Sequence, residues 1–226
     1  VDIRHFKIKP EVSSGVALIF IGGREKENMI GVARSANDAL TVEDVRAARS
    51  LFARAAVVVS QLEIPLSVVQ EAARMARECG AIFLLDPAPA RKLPASLLKQ
   101  VGVLTPNQTE AQMLTGERDA SRAAGVLRAR GVEKIAVTLG KAGVLLCDEN
   151  GTRMIAAPKV SPLDTVGAGD CFGGWLAAGL ARGESFENAA RRAVFAASLA
   201  VTKKGAQAAM PRADEVSAFE ANAPNH

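Results

Sequence analysis

The chain has 226 residues, 49% hydrophobic and 23% charged, which is long enough to bury a core and outside the range of disordered or fibrous proteins. Its formal net charge of +4 comes from Lys and Arg dispersed among Asp and Glu, and aromatics are only 4%, so neither a basic nucleic-acid stripe nor a base-stacking platform is expected. Cys79, Cys147 and Cys171 form no Cys-x-x-Cys pair and the only histidines are His5 and His226, which argues against structural zinc; this cysteine usage, with no signal peptide and no apolar run of bilayer length, points to a reducing cytoplasm and no membrane partner.

In chain order, Gly15 to Ile21 and Met29 to Val32 read as a β-hairpin turning at Gly22-Gly23. Thr41 can cap a helix running to about Arg54, with Val42, Val45, Leu51 and Phe52 as its apolar stripe. A strand at Ala56 to Ser60 follows, then a helix from about Leu66 to Cys79, a strand at Ala81 to Asp86, a short helix near Ala95 to Lys99 and a strand at Val101 to Leu104. Helices are expected at about Asn107 to Leu114 and Ala120 to Arg130, then a strand at Lys134 to Thr138, the turn Gly140-Lys-Ala-Gly143 and an antiparallel strand at Val144 to Cys147. Three late helices, near Ala168 to Ala181, Phe186 to Thr202 and Ala213 to Ala221, complete the chain. Continuous apolar strands alternating with amphipathic helices imply an α/β fold, a parallel sheet covered on both faces. Ligands in such sheets bind beyond the carboxyl ends of the strands, where Glu63, Asp86, Asn107 and Gly140 fall.

The segment Asp164-Thr-Val-Gly-Ala-Gly-Asp170 sets a glycine turn at the start of an apolar helix. Free amides and the positive helix end make Gly167, Ala168 and Gly169 a cradle for phosphate or a developing anion. Asp170 beside that cradle is either a base that takes a proton from an attacking hydroxyl or an acid favoured by the first helical turn; these residues alone leave both open. Asn107-x-x-Glu110 reads as a capping box, with Asn at the N-cap and Glu at N3. Cys171 reads as a small core residue.

Asp164 to Asp170 resembles the C-terminal signature of the ribokinase, or PfkB, family of carbohydrate kinases. Gln61-Leu-Glu63, Asp86-Pro-Ala-Pro-Ala-Arg91, Thr105 to Glu110, Thr138 to Gly143 and Val201 to Gln207 agree with the same family in order, over nearly the whole chain. The resemblance implies a ribokinase-like three-layer α/β/α domain with a mainly parallel sheet over residues 36–226, and part of a β lid over residues 1–35. It implies transfer of the γ-phosphoryl of ATP to the primary hydroxyl of a sugar, ribose first and a fructokinase-like substrate as the variant, with Mg2+ and K+. Asp170 matches the catalytic base and, with Glu63, contacts the sugar; Gly167, Ala168 and Gly169 match the anion hole. Asn107, Glu110, Thr138, Gly140, Lys141, Gly143 and Gly169 match the nucleotide side, with Glu110 holding magnesium through water. Asp164, Val166, Ala200, Lys203 and Gly205 match the ligands of the monovalent cation. The complete protein is expected to be a homodimer.

The chain opens at Val1-Asp2-Ile3, which resembles the middle of a family member, so a shortened product without the early sugar grip, with an exposed apolar sheet edge, is expected. Val194 and Ala209 stand where the family often carries polar side chains near nucleotide and cation. The competing class is a nucleotide-binding module without turnover. A dinucleotide-binding oxidoreductase fits poorly, because Pro162 interrupts the required strand and Glu187 falls within a helix; a P-loop NTPase lacks its Gly-x4-Gly-Lys-Ser/Thr.

Overall fold

The computed structural model describes residues 2–22 and 27–222. Strands β1 (Val16–Gly22) and β2 (Glu27–Ala33) pair antiparallel as expected; Gly23 of the expected turn lies outside the described residues. Then come α1 (Val42–Ala47), α2 (Arg49–Phe52), β3 (Val57–Ser60), α3 (Leu66–Glu78), β4 (Ile82–Leu85), α4 (Ala95–Leu98) and β5 (Val103–Leu104). The chain continues through α5 (Gln108–Thr115), α6 (Ala120–Ala129), β6 (Lys134–Thr138), β7 (Val144–Asp148) and β8 (Gly151–Ile155). Helices α7 (Ala168–Ala181), α8 (Phe186–Ala200) and α9 (Ala213–Asn222) close it.

Strands β3 to β8 form one sheet in sequential order, parallel from β3 to β6 and antiparallel from β6 to β8. Alternation along each strand sends side chains to two cores. Phe83, Leu85, Leu104, Ile135 and Val137 pack with Val69, Ala73 and Ala76 of α3 and Ala123 and Leu127 of α6. Their neighbours Leu84, Val103, Ala136, Val144 and Leu146 face the other way, against Phe172 and Leu176 of α7 and Ala189, Ala190 and Ala193 of α8. The result is three layers, helices on both faces of the sheet, as the near-continuous apolar strands require.

Two local departures from the sequence reading have physical causes. The helix expected from Thr41 to Arg54 breaks at Ala48 (φ −89°, ψ 10°), leaving two short pieces with no buried residue. Its capping box, Thr41 with Asp44, forms as anticipated, but the apolar stripe is only half-buried, so packing gives little reason to keep one axis. Strand β8 gives no strand signal in the sequence, because only Ile155 of its five residues is buried; its register is fixed by pairing with β7. The turn before β7 depends on Gly143 (φ +104°): a Cβ there would strike the backbone of Ile155, Ala156 and Ala157, so only glycine lets β7 and the segment after β8 lie this close.

Candidate active site

The carboxyl ends of β3, β4, β5 and β6 come to one edge, and backbone bonds lock the loops leaving them. The Asp86 amide donates to the Ser60 carbonyl (2.9 Å), Leu62 to Ala88 (2.9 Å), Thr105 to Leu85 (3.0 Å) and Thr138 to Pro106 (2.9 Å). Asn107 and Thr138 form an isolated parallel bridge, so these two expected nucleotide-side residues are brought together. Glu63, just beyond β3, is half-buried, and its carbonyl accepts from Arg34 Nε (3.2 Å), which ties the base of the hairpin to the loop after β3.

Helix α7 starts at this edge. Gly167 is its N-cap at φ +78°, a conformation that favours glycine, and no side chain caps the end. Among the described residues the amides of Gly167, Gly169 and Asp170 have no hydrogen-bond partner, whereas Ala168 donates to the Thr165 carbonyl at 3.3 Å. The expected cradle therefore offers three free donors and one weakly engaged. Asp170 is exposed, with Oδ1 accepting from Gln61 Nε2 (3.3 Å). An exposed carboxylate beside free amides at a helix N-terminus can take up a proton while the amides hold an anion. Cys171, one residue on, is 2% exposed; burial and then the charge of Asp170 push its thiol up to about 11, so it remains an inert core residue.

The capping-box reading of Asn107-x-x-Glu110 is realised. Asn107 Oδ1 accepts from the Glu110 amide and Glu110 Oε2 from the Asn107 amide, each at 2.8 Å, a complete capping box for α5. The same box holds the Glu110 carboxyl at the sheet edge, half-buried, where burial raises its pKa against the lowering effect of the Asn107 amide. Gly140 to Ala142 form a single 3-10 turn between β6 and β7, with Lys141 exposed and the Gly143 carbonyl accepting from Leu139 (2.8 Å).

Asp164 joins two loops. Its Oδ1 accepts from the Val166 amide (3.0 Å) and its Oδ2 from the Gly205 amide (2.9 Å), and these two bonds hold its carboxyl below the ordinary carboxylate range. Of the expected cation ligands, Asp164, Val166 and Gly205 are thus gathered in one place. The Ala200 carbonyl already accepts from the Lys203 amide (3.0 Å), while the carbonyls of Val166, Lys203 and Gly205 accept no hydrogen bond among the described residues. Val194 and Ala209 are 4% and 2% exposed; Val194, on α8, packs in the core with residues of the sheet and α7.

Two residues at the edge carry no role in the sequence reading. Asp86, half-buried beyond β4, has its pKa pushed up to about 6 by burial, opposed by the Gln61 amide and reinforced by the charges of Glu110 and Asp170. Gln61 donates to it at 3.4 Å. The sequence marks Asp86 only as a strand-end residue and both only as parts of family motifs, since a polar residue after a strand is ordinarily just solvated.

The family model described as pfkB family carbohydrate kinase matches residues 1–213. Ribokinase of Haemophilus influenzae is 37% identical over 224 residues, spanning 97% of this chain and 73% of that protein. Among solved structures, ribokinase of Thermotoga maritima gives a TM-score of 0.85 at 31% identity, over 95% of this chain and 72% of that one. Arabidopsis thaliana ribokinase complexed with ribose and ATP gives 0.83 at 28% identity, over 92% of this chain and 70% of that one. The three-layer fold expected from the sequence is the fold these proteins have.

Proposed function

This chain belongs to the pfkB family of carbohydrate kinases, phosphotransferases acting on a sugar hydroxyl, and from that premise we propose that it phosphorylates the primary hydroxyl of a pentose, D-ribose, with ATP as donor. The observation that carries this reading is the Asp170 carboxylate, exposed on the first turn of α7 beside free amides, at the sheet edge shared by Glu63, Asn107 and Thr138. The sugar oxygen forms its bond to the γ-phosphorus as the bond from that phosphorus to the bridging β–γ oxygen breaks. The hydroxyl proton passes to Asp170 and ADP leaves. The amides of Gly167, Gly169 and Asp170, helped by Ala168, would stabilise the charge on the phosphoryl oxygens.

Glu63 is assigned to sugar hydroxyls, Asn107 and Glu110 to the phosphates, and Thr138, Gly140, Lys141 and Gly143 to the nucleotide. Magnesium, when bound, neutralises phosphate charge. Glu110 would hold it through water, and a half-buried carboxyl whose pKa burial raises, with no cationic partner among the described ion pairs, suits that task. A potassium ion suits the oxygen donors of Asp164, Val166, Lys203 and Gly205, with Ala200 the least available of the set. Residues 1–35 are assigned to a β lid and 36–226 to the nucleotide-binding and catalytic domain.

Asp170→Asn should lower ATP-dependent phosphorylation of ribose by about 10³-fold or more, with thermal unfolding and ATP affinity by calorimetry unchanged. Turnover near the wild-type level in that variant would refute the base assignment. ATP binding by the wild type with no phosphorylated product from ribose, 2-deoxyribose or fructose would favour the nucleotide-binding module.

A further inference from the structure

Gln61 reaches from the end of β3 to the first turn of α7, 109 residues away in sequence, and its Nε2 lies 3.3 Å from Asp170 Oδ1 and 3.4 Å from Asp86 Oδ2. A primary amide has two N–H donors, and ionised carboxylates only accept, so one nitrogen can serve both acids at once. That orientation is the one in which the amide attracts both neighbours. The two carboxylates otherwise repel each other, and Glu110 adds a third negative charge on the Asp86 side. Among the described hydrogen bonds the Gln61 amide is the only donor to Asp170, and the nearby Ala88 backbone amide adds a further favourable effect at Asp86. The backbone of Gln61 is itself fixed: the Ser60 hydroxyl donates to its carbonyl (3.0 Å), and the next residue, Leu62, is 0% exposed with its amide bonded to Ala88.

We propose that Gln61 is a positioning residue for phosphoryl transfer, an amide clamp that holds the Asp170 carboxylate toward the reacting hydroxyl by bonding it and Asp86 together. This rests on the assignment of Asp170 as base. Asp170 stands on an exposed turn, and an unrestrained carboxylate there would sample rotamers in which neither oxygen faces the acceptor. Misplacing a catalytic group by about 1 Å is enough to cost about 10²-fold in rate.

The test compares Gln61→Leu with Gln61→Glu at a pH where the carboxylates are ionised. Glu keeps the shape of the side chain and removes the donor, so a residue needed only for packing would tolerate it, whereas the clamp predicts a loss at least as large as that in Leu. Both variants should lose about 10- to 100-fold in kcat, with KM for ATP within about twofold, and Gln61→Leu should keep its melting temperature. Wild-type kcat in Gln61→Glu, or a loss carried by KM alone, overturns the proposal. A second measurement does not need turnover: in Gln61→Leu the side-chain carboxyl carbon resonances of Asp170 and Asp86 should both move in NMR spectra, and an unmoved Asp170 resonance overturns the clamp. A wild-type chain that fails to phosphorylate any pentose would count against the assigned reaction, while this second measurement would still decide the clamp.

Discussion

A carboxyl group half-buried among charges of its own sign is costly to ionise, and Asp86 is in that position between Glu110 and Asp170. Its folded pKa of about 6 exceeds the ordinary Asp value of about 4. The folded state therefore holds this proton more tightly, and the contribution to stability present below about pH 4 is lost as pH rises through about 6. Asp86→Asn should accordingly stabilise the fold at pH 8 by about 1–2 kcal/mol after allowance for partial solvent access, and by nothing below about pH 4. Chemical denaturation at both pH values measures it; an equal effect at the two would exclude ionisation as the cause. At this scale the sequence was informative where chemistry and local turn coincide. Gly167, Gly169 and Asp170 stand out because a glycine turn opening a helix is a local event. The sequence shows Gln61 and Asp86 without a role, because that role depends on distant segments bringing Gln61 within hydrogen-bond reach of Asp86 and Asp170.

Helices α1 and α2 bury no residue fully; Val45 and Phe52 pack half-buried against the core, and ion pairs add links to α3. Arg46 of α1 donates to Glu71 Oε1 (2.7 Å), Arg49 of α2 reaches Glu78 (3.3 Å), and Arg74 grips Glu71 through Nε (2.8 Å) and Nη2 (2.7 Å). Arg74, then Arg46, holds the Glu71 carboxyl down to about 2. A depressed acid stabilises the fold above its unfolded value, near 4.5, and loses that contribution as pH falls toward 2. Both arginines are solvent-exposed, which reduces what the pairs are worth. Glu71→Gln should cost about 1–2 kcal/mol at pH 7, shrinking to nothing near pH 2, read by denaturant unfolding. Loss of the same size at both pH values would mean packing and not charge. The same elements explain the misread helix: Val42, Val45, Leu51 and Phe52 have helical spacing, and nothing local signals the break at Ala48. Helices α3, α5 and α7, whose stripe, capping box or glycine turn is complete within the segment, start within a residue or two of where the sequence puts them.

For the molecule as a whole, the hairpin forms a sheet of its own and exposes Val16, Leu18 and Val32 at 54%, 59% and 44%. An apolar two-stranded surface of this kind favours self-association. Sedimentation velocity at rising concentration should therefore detect association that Leu18→Lys weakens by roughly tenfold, about 1.4 kcal/mol; association unaffected by that change would place the contact elsewhere. Among the described residues no helix is long and apolar enough to cross a membrane. The alternation of apolar strands with amphipathic helices was enough to settle an α/β fold, because strands buried on both faces must be apolar throughout. The signature at Asp164 to Asp170 likewise pointed to the family, because a backbone anion cradle needs glycine at set positions. Only the tertiary structure decided that β8 completes the sheet and that Asp164 joins two loops, since each depends on pairing across space. It also decided that Gln61 stands between two acids: a hydrogen bond spanning β3 and α7 leaves no trace in either segment until the sheet sets their ends side by side.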